Sequence, residues 1–104
     1  MTRSINSGGE KIFAEEVEQA LLHQPAVADV VVAGRPSERW GQEVVALVQL
    51  TEGRGATAEE LLAEAAKHIS RYKLPKAIGF YDSIVRSPSG KADYRWAGEQ
   101  ALKV

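Results

Sequence analysis

Val27-Ala28-Asp29-Val30-Val31-Val32-Ala33 reads as a β-strand. Its three consecutive valines are apolar on both faces, which predicts a central position in a sheet. Gly34-Arg35-Pro36-Ser37 breaks the run. Beyond the loop through Trp40-Gly41, a second strand is predicted from Glu43 to Leu50. Val44, Ala46, Val48 and Leu50 face one way along it, while Val45 and Leu47 face the other.

On the N-terminal side, Ala14 to Gln24 is predicted to be a helix. Ala14, Val17 and Leu21 recur on one face, with Ala20 beside them. Glu15, Glu16 and Glu18 lie near its start, where the helix dipole favours negative charge. Pro25 ends it. Further upstream, Ser7-Gly8-Gly9-Glu10 is a turn signal, because paired glycines permit backbone angles closed to other residues.

Downstream, Gly53-Arg54-Gly55 marks a turn. Thr57-Ala58-Glu59-Glu60 has the form of a capping box. The helix behind it repeats Leu61, Leu62, Ala65, Ala66, Ile69 and Tyr72 at helical spacing, and Pro75 stops it. Ala77 to Tyr81 is predicted as a third strand and Ile84-Val85 as a short apolar segment. A loop, Ser87-Pro88-Ser89-Gly90-Lys91, precedes a last helix over Tyr94 to Leu102 with no clear cap. The order predicts an α+β fold with a small sheet of about three strands, flanking helices and an N-terminal turn or hairpin. Its length of 104 residues predicts a single domain over the whole chain.

Thirteen basic residues stand against fourteen acidic ones, a net charge of −1, and the charges are interspersed. Nucleic-acid binders normally carry a basic excess, so no nucleic-acid partner is expected. The absence of cysteine removes disulfides and thiolate metal sites, and it is compatible with a reducing cytosol. No apolar run approaches a membrane span, and Met1-Thr2-Arg3-Ser4-Ile5-Asn6 lacks the apolar core of a signal peptide. A cytoplasmic location is expected.

Residues that could carry chemistry are few. Lys91 follows a turn-forming tetrapeptide, and turn chemistry alone explains each neighbour. A loop lysine is also suited to deliver one compact ammonium to phosphate or carboxylate oxygens. Gly8-Gly9 either turns the chain toward the first helix or lets a ligand approach bare backbone. It is not a Walker-type phosphate loop, whose spacing is absent. His23 and His68 fall in separate helices without partners at metal-ligand spacing, so no metal site is expected. Trp40 and Trp96 read as packing residues. Arg35, Arg39, Arg54 and Arg71 could meet phosphates, although most arginines are solvated.

Four motifs, in order, resemble the C-terminal domain of the acyl-adenylate-forming superfamily of acyl-CoA synthetases, adenylation domains and luciferases. Ile5-Asn6-Ser7-Gly8-Gly9-Glu10-Lys11-Ile12-Phe13 with Glu15-Glu16-Val17-Glu18 is similar to the hinge-proximal motif and its helix. Val32-Ala33-Gly34-Arg35-Pro36 through Glu38-Arg39-Trp40-Gly41-Gln42 resembles the middle motif. Tyr72-Lys73-Leu74-Pro75-Lys76 resembles the segment before the last strands. Ser87-Pro88-Ser89-Gly90-Lys91 resembles the catalytic-lysine loop. Gly-Gly-Glu-Lys together with Lys-Ala-Asp-Tyr-Arg-Trp is most similar to fatty-acyl and steroid-acyl CoA ligases of actinobacterial type.

The resemblance implies a two-step ligase. A carboxylate attacks the α-phosphate of ATP to give acyl-AMP and pyrophosphate, and the CoA thiol then attacks the acyl-AMP. It implies that Lys91 bridges carboxylate and phosphate oxygens in the first step, with Ser89 and Gly90 supporting its loop. It implies that Ser7, Gly8, Gly9, Glu10 and Lys11 serve the second step, their backbone lining the pantetheine tunnel. ATP with Mg2+ and coenzyme A are expected to bind mainly with an N-terminal adenylate-binding domain, whose Ser/Thr/Gly-rich signature is nowhere in this chain. That domain and a carboxylic acid substrate are the expected partners, and the isolated chain is expected to be inactive alone. The chain is expected to begin at the hinge, whose residue falls near Met1 or before it. Two positions depart from the usual pattern, since Val85 and Ala14 stand where many relatives have proline. Two other readings stay open: an adenylation domain that loads a carrier protein, and a free-standing binding or regulatory module.

Overall fold

The computed structural model describes residues 4–104, so the expected hinge near Met1 lies outside the described residues. A hairpin of β1 (Ser4–Ser7) and β2 (Glu10–Phe13) leads directly into α1 (Ala14–Leu22). Then follow β3 (Val27–Ser37), β4 (Gly41–Leu50), α2 (Ala58–Ala65), a 3-10 turn (Arg71–Lys73), β5 (Ala77–Tyr81) and α3 (Tyr94–Ala101).

The α+β class is as expected, but the sheet has five strands among the described residues rather than about three. The N-terminal hairpin joins it through the pairing of Ser7 with Gly41, and β5 runs parallel to β4 from Val45↔Ala77 to Gln49↔Tyr81. The central strand is β4. Antiparallel β3 occupies one of its edges, and β1 and β5 share the other.

The expectation of a central β3 is therefore corrected. Its valines are apolar on both faces because helices cover both faces of the sheet. Val30, Val32, Val44, Ala46 and Val48 pack with Val17 and Leu21 of α1 and Leu61 and Ala65 of α2. Val31, Ala33, Val45 and Leu47 pack with Ala97 and Ala101 of α3. The alternation along β4 is the one read from the sequence. Burial tells which faces are covered, and strand order is a separate property.

The predicted break at Gly34 is also absent. Pairing continues through Pro36↔Gln42 and Ser37↔Gly41, and the reversal falls at Glu38-Arg39-Trp40. Proline is tolerated there because β3 is an edge strand. The outer edge of β3 is closed by carboxylates. The Val30 amide donates to Asp29 Oδ1 at 2.9 Å, and the Val32 amide donates to Glu18 Oε2 at 2.8 Å. Occupied amides cannot template another strand.

The capping box at α2 forms as read: the Glu60 amide donates to Thr57 Oγ1, and the Thr57 amide to Glu60 Oε1. That helix ends at Ala65, earlier than its apolar spacing predicts. The Lys67 and His68 amides bond three residues back, and Ser70 is extended. Tyr72 is consequently exposed in the 3-10 turn. The last helix does have a cap, since Asp93 accepts from the Trp96 amide at 3.0 Å. No described helix is long and apolar enough to cross a membrane.

Candidate functional site

The glycine loop is the two-residue turn of the β1–β2 hairpin, with Ser7 paired to Glu10. Gly8 and Gly9 both have positive φ, at 60° and 85°. Two successive positive angles match the twist of a tight hairpin and favour glycine at both positions. The Gly8 amide donates to the Trp40 carbonyl at 2.8 Å. A Cβ on Gly8 would fall 2.9 Å from the Trp40 ring, whereas one on Gly9 would meet nothing within 4 Å. Gly9 is thus open backbone at the tip, and Gly8 is the packed half of the turn.

Ser7 is buried at the junction with Gly41, while Glu10 and Lys11 are exposed on β2. Trp40 was expected to be a packing residue. It packs, but it is only half-buried, and the Arg39 guanidinium and Lys76 ammonium lie 4.8 and 5.3 Å from its ring. Trp40 therefore joins the glycine loop to two cations at the start of β4. Trp96, on α3, meets Tyr81 edge-on at 5.6 Å and packs against the core on that face of the sheet, as expected.

Lys91 closes a second turn. The Gly90 amide donates to the Ser87 carbonyl at 2.8 Å, and the Ser87 amide to the Lys91 carbonyl at 2.9 Å. Pro88 follows the first turn residue and Gly90 is last, with φ 84°, as turn preferences dictate. The Ser87 and Ser89 hydroxyls bond each other at 3.0 Å. An isolated bridge between Arg86 and Ala92 closes the base. Lys91 is exposed, and its ammonium has no hydrogen bond or ion pair among the described residues.

Both ends of this loop are fastened to α1 and β3. Arg86 pairs with both carboxylate oxygens of Asp29, its Nε lying 3.1 Å from Oδ2. Tyr94 Oη lies 3.2 Å from Glu15 Oε2 and 3.3 Å from Glu18 Oε2. Burial, aided by the Glu15 charge, raises the Glu18 carboxyl above its ordinary range, against the pull of the Val32 amide, Tyr94 and Arg86. Burial and then the Glu18 and Glu15 charges push the Tyr94 phenol well up, so it stays a neutral donor. The bond to Asp29 raises Arg86 further. Sequence reading missed Asp29, Glu18, Arg86 and Tyr94. The one signal was a carboxylate, Asp29, inside an apolar strand. A register shift between Val27 and Asp29 interrupts the ladder just before it.

The two loops sit at opposite ends of β4. The glycine loop meets Gly41. The lysine loop is approached through Ile84, whose amide donates to Gln49 Oε1 at 3.1 Å, and through Arg86 on Asp29, itself paired with Gln49. The span from Gly41 to Gln49 corresponds to roughly 26 Å of strand.

Of the arginines considered for phosphates, Arg35 is already engaged. It pairs with Glu43 at 2.6 Å and donates to the Ala101 carbonyl at 3.2 Å and to that of Val104. Arg54 lines an open groove with Thr51 and Phe80, and Arg71 begins the 3-10 turn. His23 and His68 stack with ring centroids 3.8 Å apart, and His68 bonds Glu64 at 3.0 Å. No group of three metal-ligating side chains occurs among the described residues.

Residues 16–91 match the model of the AMP-binding enzyme C-terminal domain, and the chain belongs to that family. It is 70% identical over 98 residues to the medium-chain acyl-CoA ligase Mig of Mycobacterium avium, covering 94% of this chain and 18% of that protein. It is 54% identical over 97 residues to the 3-oxocholest-4-en-26-oate–CoA ligase of Rhodococcus rhodochrous, covering 93% of this chain and 18% of that protein. Among solved structures it is similar to the acyl-CoA synthetase of Brucella canis, with a TM-score of 0.88 and 32% identity over 97% of this chain and 19% of that one. The chain thus spans under a fifth of the length of these relatives.

Proposed function

We propose that this chain is the mobile C-terminal domain of an ATP-dependent acid–CoA ligase, and that Lys91 serves formation of the acyl-AMP. The observation that carries the reading is the exposed Lys91 ammonium, unpaired among the described residues, on a turn in a chain of this family. The names of the two relatives support a medium-chain or steroid carboxylic acid as substrate and CoA as acceptor rather than a carrier protein.

In the first step a carboxylate oxygen attacks the α-phosphorus of ATP. The bond to the β-phosphate bridging oxygen breaks and pyrophosphate leaves. Two anions must approach, and the Lys91 ammonium offsets their repulsion while holding the attacking oxygen in line. Magnesium and the nucleotide are held by the N-terminal body. In the second step the CoA sulfur attacks the acyl carbon and AMP leaves. The open backbone at Gly9 lets the pantetheine arm pass closely, with Ser7, Gly8, Glu10 and Lys11 framing that passage. The separation of the loops along β4 supports a rotation of the domain between steps.

Lys91→Ala in the full-length ligase tests this. Pyrophosphate release that depends on acid and ATP should fall by roughly a hundredfold or more, as expected for loss of a preorganised charge. Thioester formation from supplied acyl-AMP should largely persist. Equal loss of both half-reactions would sink the division of labour.

A further inference from the structure

Between Arg86 and Tyr94 the chain projects as an exposed turn, and both flanks are tied to one patch on α1 and β3. At the first flank Arg86 spans the two oxygens of Asp29. A guanidinium fork on a carboxylate fixes orientation as well as distance. Asp29 is itself held, since one of its oxygens accepts from the Val30 amide. At the second flank the Tyr94 hydroxyl lies against Glu15 and Glu18, and Glu18 is held by the Val32 amide. The same two carboxylates therefore close the open edge of β3 and receive the two ends of the lysine loop. The Tyr94 ring itself packs against both core clusters, so its hydroxyl contacts are additional to that packing. Ile84 already anchors the preceding segment, and Ala97 and Ala101 anchor α3. What the ties add is a fixed position for the short turn between them.

We propose that Arg86 and Tyr94 are positioning residues for Lys91, with Asp29 and the Glu15–Glu18 pair as their anchors on the edge of the sheet. The proposal rests on the assignment of Lys91 to acyl-AMP formation. Lys91 has no partner of its own among the described residues, so its location is set by its backbone. A charge that must bridge two oxygens loses effect steeply with displacement. Loosening either flank should therefore slow the step that uses Lys91 and spare the step that uses the glycine loop, at the other end of β4.

The test uses the full-length ligase with Arg86→Lys, Asp29→Asn and Tyr94→Phe. Each is conservative. Lysine keeps the charge and loses the fork, asparagine keeps an oxygen for the Val30 amide, and phenylalanine keeps the ring. Acyl-AMP formation should slow roughly 10- to 100-fold at an unchanged KM for ATP, with thioester formation from supplied acyl-AMP within about twofold of the parent. Arg86→Lys with Asp29→Asn should be no worse than the more severe single variant, because both break one link. Equal slowing of both half-reactions, or no slowing of either, overturns the proposal. Lys91→Ala is measured alongside. If it spares acyl-AMP formation, the assignment of Lys91 itself has failed. If it blocks that step while the three conservative variants do not, only the positioning role has failed.

Discussion

Glu18 carries more of the local physics than its place on a helix of glutamates suggests. It lies at the middle of α1, and its carboxyl is turned to the sheet edge and to Tyr94. Burial is the largest influence on its titration and favours the neutral form, so its folded value lies above the ordinary 4.5. Between those two values the folded chain holds a proton that the unfolded chain has released. Stability therefore falls as pH rises through that window. The Tyr94 hydroxyl lies within hydrogen-bond reach of both Glu15 and Glu18. Glu18→Gln has no proton to lose and keeps an oxygen for the Val32 amide. Its stability relative to the parent should improve as pH rises from below 4.5 to above the raised value, and should level off on either side. Urea unfolding across that pH series reads the difference, and a flat difference would contradict a Glu18 carboxyl raised by burial.

The elements show where sequence pattern sufficed and where it did not. In the β1–β2 turn the paired glycines were legible, because backbone angles are a local property. What Gly8 packs against was not legible, since Trp40 is far along the chain. Both glycines have positive φ, so alanine at either should cost about 1–2 kcal/mol from backbone strain alone. Gly8→Ala should cost more than Gly9→Ala, because only the former drives a methyl into the Trp40 ring. Thermal unfolding of the two variants measures the gap, and equal losses would mean the ring gives way freely. The same contrast runs through the chain. The capping box at Thr57, the alternation along β4 and the turn at Ser87–Gly90 were all readable from short-range chemistry. The edge position of β3, the early end of α2 and the ties from Asp29 and Glu18 depend on partners distant in sequence. The lysine and glycine loops were found through turn residues and family motifs. The residues that hold the lysine loop leave no periodic or motif signature.

At the scale of the molecule, the β3–β4 hairpin acts as a rigid spacer with one candidate site at each end. Val45, Leu47 and Val48 are fully buried, and helices pack on both faces, so bending the spacer is not an available route between steps. A separation of roughly 26 Å along β4 then requires the whole domain to reorient if both loops serve one active site. That requirement gives a test independent of any single catalytic residue. The domain has no cysteine, and Arg95, on α3 just beyond Lys91, has a 94% exposed side chain. Arg95→Cys therefore offers a single thiol on this domain for a photo-crosslinker in the full-length ligase, with any cysteines of the N-terminal body removed first. Linking it to the body in the presence of ATP and acid should lock the lysine end over the active site. The locked enzyme should release about one equivalent of pyrophosphate and retain its acyl-AMP, with steady thioester formation lost. Linking through a cleavable tether and then cutting it should restore turnover. Continued thioester formation by fully crosslinked enzyme would show that the glycine end reaches the acyl-AMP without reorientation, and the rigid-spacer argument would then fail.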